Sequence, residues 1–246
     1  MTLGKLIGES LAPAVDLVYP PRCPLCGDAI AAQSGLCASC WSELEIPGEP
    51  ACATCARPFR ESSAQSGSLC APCLAAAPRH DGISAGTLYN DASRKLVLAF
   101  KHGRRIAMAP MLARTIAARL PRLEGEWLVV PVPLHWSRLW RRGFNQSALL
   151  AREVSRLTGH KLLVDGLRRT RATPSLGGLG KARRAEALRG AIAVTSRHTA
   201  ALRGAQVLLV DDVLTSGATS DACVAILREA GAAQVRIACF ARVLDG

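Results

Sequence analysis

Two groups of residues in this sequence have types and spacing that support chemistry. The first runs from Val207 to Thr219. A short apolar stretch ends there in two adjacent carboxylates, Asp211 and Asp212, and then in a turn of small residues, Thr215, Ser216, Gly217, Ala218 and Thr219. Backbone N–H groups, hydroxyls and the start of a helical pattern (Asp221 to Leu227) converge at that turn, which suits a phosphate monoester. Carboxylates one step upstream are strong acceptors for the hydroxyls of a sugar. The second group is cysteine. Eight of the ten fall in four Cys-x2-Cys pairs: Cys23 and Cys26, Cys37 and Cys40, Cys52 and Cys55, Cys70 and Cys73. Each pair brings two thiolates within reach of one metal ion, and two pairs complete a tetrahedral shell of the zinc kind. Two closed shells leave no open position, so the zinc ions are expected to be structural. Sequential pairing is favoured, while an interleaved cross-brace would use the same ligands. Gly27 follows the first pair, where a tight knuckle turn needs a positive φ.

Two basic stretches accompany these groups. In the first, Pro131, Val132 and Pro133 close an apolar run and stiffen the loop behind it. Arg138, Arg141 and Arg142 then gather ahead of a helix that begins near Asn145, an arrangement suited to a pyrophosphate. Trp136 and Trp140 in the same stretch are either partly core, with Trp127, or free to stack a base. His135 lies in the right loop for a ligand contact, yet a loop histidine is more often structural or solvated. In the second stretch, Lys101, His102, Arg104 and Arg105 close another helix. Taken alone, these cations would simply complement the helix dipole.

The order of strand, Asp-Asp, apolar pair and Thr-x-Gly-x-Thr resembles the motif with which type I phosphoribosyltransferases bind 5-phosphoribosyl 1-diphosphate (PRPP). The cysteine knuckles, FKHGRR at Phe100–Arg105, the run VPVPLHWSRLWRRGFNQS from Val130 and VLLVDDVLTSGAT from Val207 together resemble the ComF family of competence-related proteins. The likeness extends from about Tyr19 to Val243. It implies a double zinc ribbon joined to a phosphoribosyltransferase-type domain, and a part in uptake and processing of single-stranded DNA during natural transformation. By the same resemblance, Thr215, Ser216, Gly217, Ala218 and Thr219 hold the 5′-phosphate of PRPP. Asp211 and Asp212 hold the ribose hydroxyls, directly or through Mg²⁺. Lys101, Arg138 and the loop Pro131, Val132, Pro133 face the pyrophosphate. Candidate contacts to DNA are Arg104, Arg105, Arg141, Arg142 and Arg184, with other DNA-processing proteins as further partners. The alternative is an active phosphoribosyltransferase, a glycosyltransferase of pentosyl groups in nucleotide metabolism. No base-recognition device is legible, and Thr215 stands where hypoxanthine-type relatives carry an Asp proton acceptor. The sequence also departs from the family at Ser175, Ala187 and Ile192, beside a glycine-rich loop at Gly177, Gly178 and Gly180.

The elements that must position these residues follow from composition and periodicity. At 246 residues, 49% of them hydrophobic and 20% charged, the chain is globular and can bury one full core beside a small module. A net charge of +12 points to anionic partners. Aromatics at 4% argue against an extended stacking platform. No apolar run is long enough to span a membrane and no signal peptide is legible, so the expected location is the cytoplasm, where paired cysteines indicate metal. Leu3, Leu6, Ile7, Leu11 and Val18 predict an N-terminal helix over residues 1–20. A double zinc ribbon follows over 21–76, then a phosphoribosyltransferase-like domain over 80–246. In that domain strands are expected at 83–89, 127–132, 162–167, 207–210 and 235–243, and helices at 91–102, 107–120, 145–157 and 219–230. Such alternation predicts an open, mostly parallel α/β sheet with ligands at the carboxyl ends of its strands. Cys223 and Cys239 fall on apolar faces as core thiols.

Overall fold

In a computed structural model, the described residues are 19–59, 65, 67–102, 105–172 and 181–244. The expected N-terminal helix, Arg104 and the glycine-rich loop lie outside them, as does the side chain of Arg184. In chain order the strands are β1 (Ile83–Leu88), β2 (Trp127–Pro131), β3 (Lys161–Leu162), β4 (Leu167–Arg169), β5 (Ile192–Val194), β6 (Gln206–Leu214) and β7 (Gln234–Arg242). The helices are α1 (Ala38–Ser42), α2 (Ala71–Ala75), α3 (Asp91–His102), α4 (Ala109–Ala117), α5 (Trp136–Arg142), α6 (Gln146–Thr158), α7 (Lys181–Leu188), α8 (Thr199–Leu202) and α9 (Ala218–Glu229).

A parallel sheet in the order β1-β7-β6-β2-β3 organises the domain. Strand β6 sits at its centre, where both faces need apolar cover. Leu208 and Val210 pack into one cluster with Phe100, Leu112, Ile116 and Leu150; Val207 and Leu209 pack into another with Val224, Leu227 and Ile237. Local signals place the helices. Asn90 and Ser93 exchange bonds at the start of α3, Ser93 N to Asn90 Oδ1 at 3.0 Å and Asn90 N to Ser93 Oγ at 2.8 Å, a reciprocal cap. Asn145 Oδ1 accepts from Ser147 N at 3.0 Å to open α6, and Gly159 at φ 76° closes it. Among the described residues no helix is long and apolar enough to cross a membrane.

The structure differs from expectation at three points. The strand foreseen over 162–167 is two: β3 joins the edge of the parallel sheet, and β4 pairs antiparallel with β5 in a separate hairpin. A turn separates them, with Gly166 N donating to Leu163 O. A Cβ at Gly166 would stand 2.9 Å from Leu163 Cδ2, so a larger residue there would displace the Leu163 side chain. The strand foreseen to stop at Val210 runs on to Leu214, because backbone pairing with β7 continues through Leu214 and Arg242. Pairing overrides the low strand preference of aspartate. Finally, the arginine stretch ahead of the Asn145 helix, for which no element was foreseen, forms α5, which His135 caps by accepting from Ser137 N at 3.3 Å.

The two cysteine modules share one backbone plan. Cys23 N donates to Asp28 O and Gly27 N to Cys23 O; likewise Cys52 N donates to Arg57 O and Ala56 N to Cys52 O. Gly27 has φ 84°, and its counterpart Ala56 takes φ 53°. The modules sit astride the β1 edge. From the first, Leu25, Leu36 and Leu44 join one sheet-face cluster, and from the second, Cys52, Cys55, Cys70 and Phe59 join the other. The edge itself is met by Glu45 O, which accepts from Leu88 N at 2.7 Å and from Thr87 Oγ1 at 2.8 Å.

Candidate functional site

Strands β2 and β6 run side by side to the same end of the sheet. Pro131 is in register with Val210, and Val132 N donates to Val210 O at 2.9 Å. Asp211 and Asp212 follow directly. They lie on β6 itself, ahead of the small-residue turn. Asp212 is buried at 8% exposure, and the Asp211 carboxyl is enclosed by protein atoms although the residue keeps some surface. Ser147 Oγ donates to Asp211 Oδ1 at 2.9 Å, and Asp212 N donates to the same oxygen at 2.9 Å. Lys101 Nζ lies 3.0 Å from Asp212 Oδ2.

These contacts give the two carboxylates different characters. Burial, and then the charge of Asp212, push the Asp211 carboxyl up to about 7, against the opposing pull of Ser147 and Lys101. Asp212 is matched by Lys101, and Arg142 also feels its charge. Beside them Lys101, His102, Arg138, Arg141 and Arg142 line a cavity of about 200 Å³. The end of α3 and the whole of α5, distant in sequence, thus converge on one basic hollow. Gln146 ties the two together, accepting from Arg142 Nη1 at 3.2 Å and donating to Lys101 O at 3.5 Å. Asn145 Nδ2 holds the proline loop by donating to Val132 O at 3.1 Å.

Past β6, Gly217 at φ 77° turns the chain into α9. A Cβ there would be 3.5 Å from Asp221 Oδ2, an ordinary contact, so the backbone conformation and not crowding selects glycine. Thr215 is exposed, and Ser216, Ala218 and Thr219 are half-buried. Of the other basic candidates, Arg105 donates to Pro24 O at 3.0 Å, pinning the first cysteine module. His135 is buried as a helix cap, the structural role expected of it. Cys223 and Cys239 are fully buried, and burial pushes the Cys239 thiol up to about 12.

Sequence reasoning missed Ser147, Gln146 and Arg169. The first two follow an Asn cap, a signal that located the helix but not what its first turn would touch. Arg169 lies on β4, and burial lowers its pKa while the Arg138 charge adds to the effect. Its Nε and Nη2 are buried without a hydrogen-bond partner. Those two nitrogens form the edge of a guanidinium that grips a carboxylate or phosphate bidentately. Nothing in a three-residue strand pattern announces such a role.

The cysteine clusters pair sequentially: Cys23, Cys26, Cys37 and Cys40 form one, Cys52, Cys55, Cys70 and Cys73 the other, with all sulfurs of a cluster within 4.8 Å. The cross-brace is thereby excluded. Cys26 and Cys37 sulfurs are 3.5 Å apart, and Cys55 and Cys70 sulfurs 3.6 Å. A tetrahedral zinc shell sets its sulfurs about 3.8 Å apart, so both clusters fit structural zinc. Burial works to raise the Cys23 and Cys52 thiols, yet backbone N–H donors prevail and hold both at about 6. A thiolate is thus favoured in each shell at neutral pH.

A family model for the double zinc ribbon domain matches residues 14–74, and one for the phosphoribosyl transferase domain matches residues 141–246. The chain is 31% identical over 235 residues to DNA utilization protein YhgH of Escherichia coli strain K12, covering 93% of this chain and 100% of that one. The chain belongs to the ComF family. Competence protein F of Haemophilus influenzae is 29% identical over 229 residues, with 90% of this chain and 96% of that one covered. Among solved structures, the glutamine PRPP amidotransferase from B. subtilis complexed with ADP and GMP overlaps 52% of this ComF-family chain and 25% of its own. The identity is 22% and the TM-score 0.36.

Proposed function

We propose that the protein binds PRPP at the carboxyl end of β6 and uses this site while handling single-stranded DNA during DNA uptake in the cytoplasm. The observation that carries the PRPP reading is the convergence of Asp211 and Asp212 with a purely basic cavity and a glycine-initiated helix start. Each part matches one part of the ligand. Thr215–Thr219 would receive the 5′-phosphate through backbone N–H groups and hydroxyls. Asp211 and Asp212 would accept from the ribose hydroxyls. Lys101, His102, Arg138, Arg141 and Arg142 would offset the diphosphate charge. Bound Mg²⁺ would neutralise further charge on the diphosphate. Arg169 adds an unoccupied guanidinium edge toward the same region. The DNA half of the reading is supported by the names of the two relatives, by the net charge of +12 and by the competence association of the family.

The second reading is an active phosphoribosyltransferase. In that reaction a nitrogen nucleophile bonds to ribose C1 as the C1–oxygen bond breaks, and pyrophosphate leaves with the bonding pair. The chain's contribution would be positioning and charge stabilisation by the same cations. The acidic pair beside the basic cavity favours it. Thermal unfolding with and without PRPP and Mg²⁺ tests the shared premise, since a ligand of the native state raises the midpoint. An unchanged midpoint rejects PRPP binding. Pyrophosphate release in the presence of candidate bases separates transfer from binding alone.

A further inference from the structure

Helix α5 carries two indoles that the fold leaves in water. Trp136 is 71% exposed and Trp140 89%, whereas Trp127, nearby in sequence, is 4% exposed and lies in the core. Positions four apart share one helix face, about 6 Å between Cβ atoms, so both indoles project from one exposed side of α5. It is partly pre-ordered: the Trp136 ring centroid lies 5.4 Å from that of His135, the residue that caps the helix. The remaining turns of α5 present Arg138, Arg141 and Arg142. Arg138 and Arg142 are half-buried beside the basic cavity, while Arg141 reaches solvent.

We propose that the solvent-facing side of α5 is the docking surface for single-stranded nucleic acid, with bases stacked on Trp136 and Trp140 and a backbone phosphate on exposed Arg141 at its flank. The proposal rests on the DNA-handling reading above and gives that reading a location. An indole stacks on any base, and a guanidinium beside it takes the adjoining phosphate, so recognition is strong but indifferent to sequence. A duplex hides its base faces in the stack, whereas an unpaired strand can offer them to exposed indoles. The surface therefore suits an extended, unstacked strand and disfavours paired DNA. Tryptophan and arginine together also suit an anionic membrane surface. Here the DNA-handling reading selects the nucleic acid, and a membrane surface is an outcome that the test separates.

The test is fluorescence anisotropy of labelled oligothymidylate titrated with the zinc-loaded full chain at physiological salt. Trp136→Ala with Trp140→Ala should weaken binding at least tenfold, in line with the stacking contribution of two bases, while the slope of affinity against salt stays as in wild type. Trp136→Phe with Trp140→Phe should restore most of the affinity. Arg141→Ala should instead reduce the salt slope by about one. Because the indoles face solvent, the alanine variant should keep the wild-type melting curve and the wild-type response to PRPP with Mg²⁺. Unchanged oligothymidylate binding in the alanine variant overturns the proposed location and leaves the DNA reading standing. Absence of binding by the wild type overturns both. Equal affinity for duplex, or tryptophan-dependent binding to phosphatidylserine vesicles without oligothymidylate binding, also rejects the proposal. No response of the wild type to PRPP, with its oligothymidylate binding intact, counts against the PRPP reading alone.

Discussion

Lys101 Nζ lies 3.0 Å from Asp212 Oδ2 and ties the last turn of α3 to the end of β6. Both groups belong to the surface that a sugar diphosphate would contact, so in the free protein each serves as the other's counter-ion. A ligand that engages Asp212 must share or replace this pair. Lys101→Met should cost about 1–2 kcal/mol of stability. That is less than the loss of a deeply buried partner, because Lys101 keeps 23% of its side chain in solvent and Arg142 still faces Asp212. The same variant should lose most of the thermal shift given by PRPP and Mg²⁺. Chemical denaturation with and without ligand measures both quantities. A full ligand shift in Lys101→Met would exclude this lysine from the diphosphate site.

Asp211 should behave in the opposite sense. Its folded-state pKa is raised to about 7, against roughly 3.9 for the unfolded chain. The native state therefore binds this proton more tightly, and the contribution of Asp211 to stability rises as pH falls from 8 toward 4. At pH 8 the ionised group is a burden, and Asp211→Asn should raise stability by on the order of 2 kcal/mol. The advantage should shrink through pH 6 and vanish near pH 4, while ligand binding is lost throughout. Urea midpoints of both proteins at pH 8 and pH 6 check this. A variant less stable than wild type at pH 8 would mean that Ser147 and Lys101 fully compensate the carboxylate.

The paired cysteine modules supply a prediction with both signs. Ala56 holds φ 53° where the equivalent Gly27 holds φ 84°, and a left-handed conformation costs a residue with a Cβ about 1–2 kcal/mol. Ala56→Gly should therefore stabilise the protein by up to about 1 kcal/mol after the gain in unfolded-state entropy is subtracted. Gly27→Ala should destabilise it by a similar amount. Thermal midpoints of the zinc-loaded variants would show a rise and a fall, and a fall in both would refute the parallel.

Zinc removal should be felt beyond the modules. Purified protein should carry close to two zinc ions per chain, the content expected of two four-cysteine clusters. The sequence suggests that a Cys26→Ser change would leave the α/β domain largely intact. The structure points to a wider effect, because Leu44 shares a core with α3 and α4 and Glu45 O caps the β1 edge. Cys26→Ser should halve the zinc content and accelerate hydrogen exchange at Leu88 N, whose acceptor is Glu45 O. Unaltered exchange at Leu88 would show that the first module folds independently of its zinc.

Much of this architecture is legible in the residues. The parallel sheet follows from apolar runs such as Val207–Val210 alternating with capped helices, and Cys-x2-Cys spacing names the eight cysteines that gather into two clusters. What escaped was set by long-range pairing. Strand β6 continues through two aspartates because β7 supplies partners as far as Arg242. Helix α5 forms because His135 and Gly143 close its ends, yet its polar and aromatic residues lack a clear apolar stripe. The burial of Asp211 and its contact with Ser147 join positions 64 residues apart, which local periodicity does not encode. Arg169 was invisible for the same reason.

The placement of β1 has a consequence for synthesis of the chain. Its strand neighbour is β7, at the far end of the sequence, so on the ribosome β1 emerges long before the strand that will pair with it. An apolar strand waiting unpaired is an invitation to aggregate. By then both cysteine modules have already been translated, and the first carries the Glu45 carbonyl that bonds the β1 edge in the finished protein. Metal supply during translation therefore bears on how much chain reaches the native state, apart from any effect on the folded protein's stability.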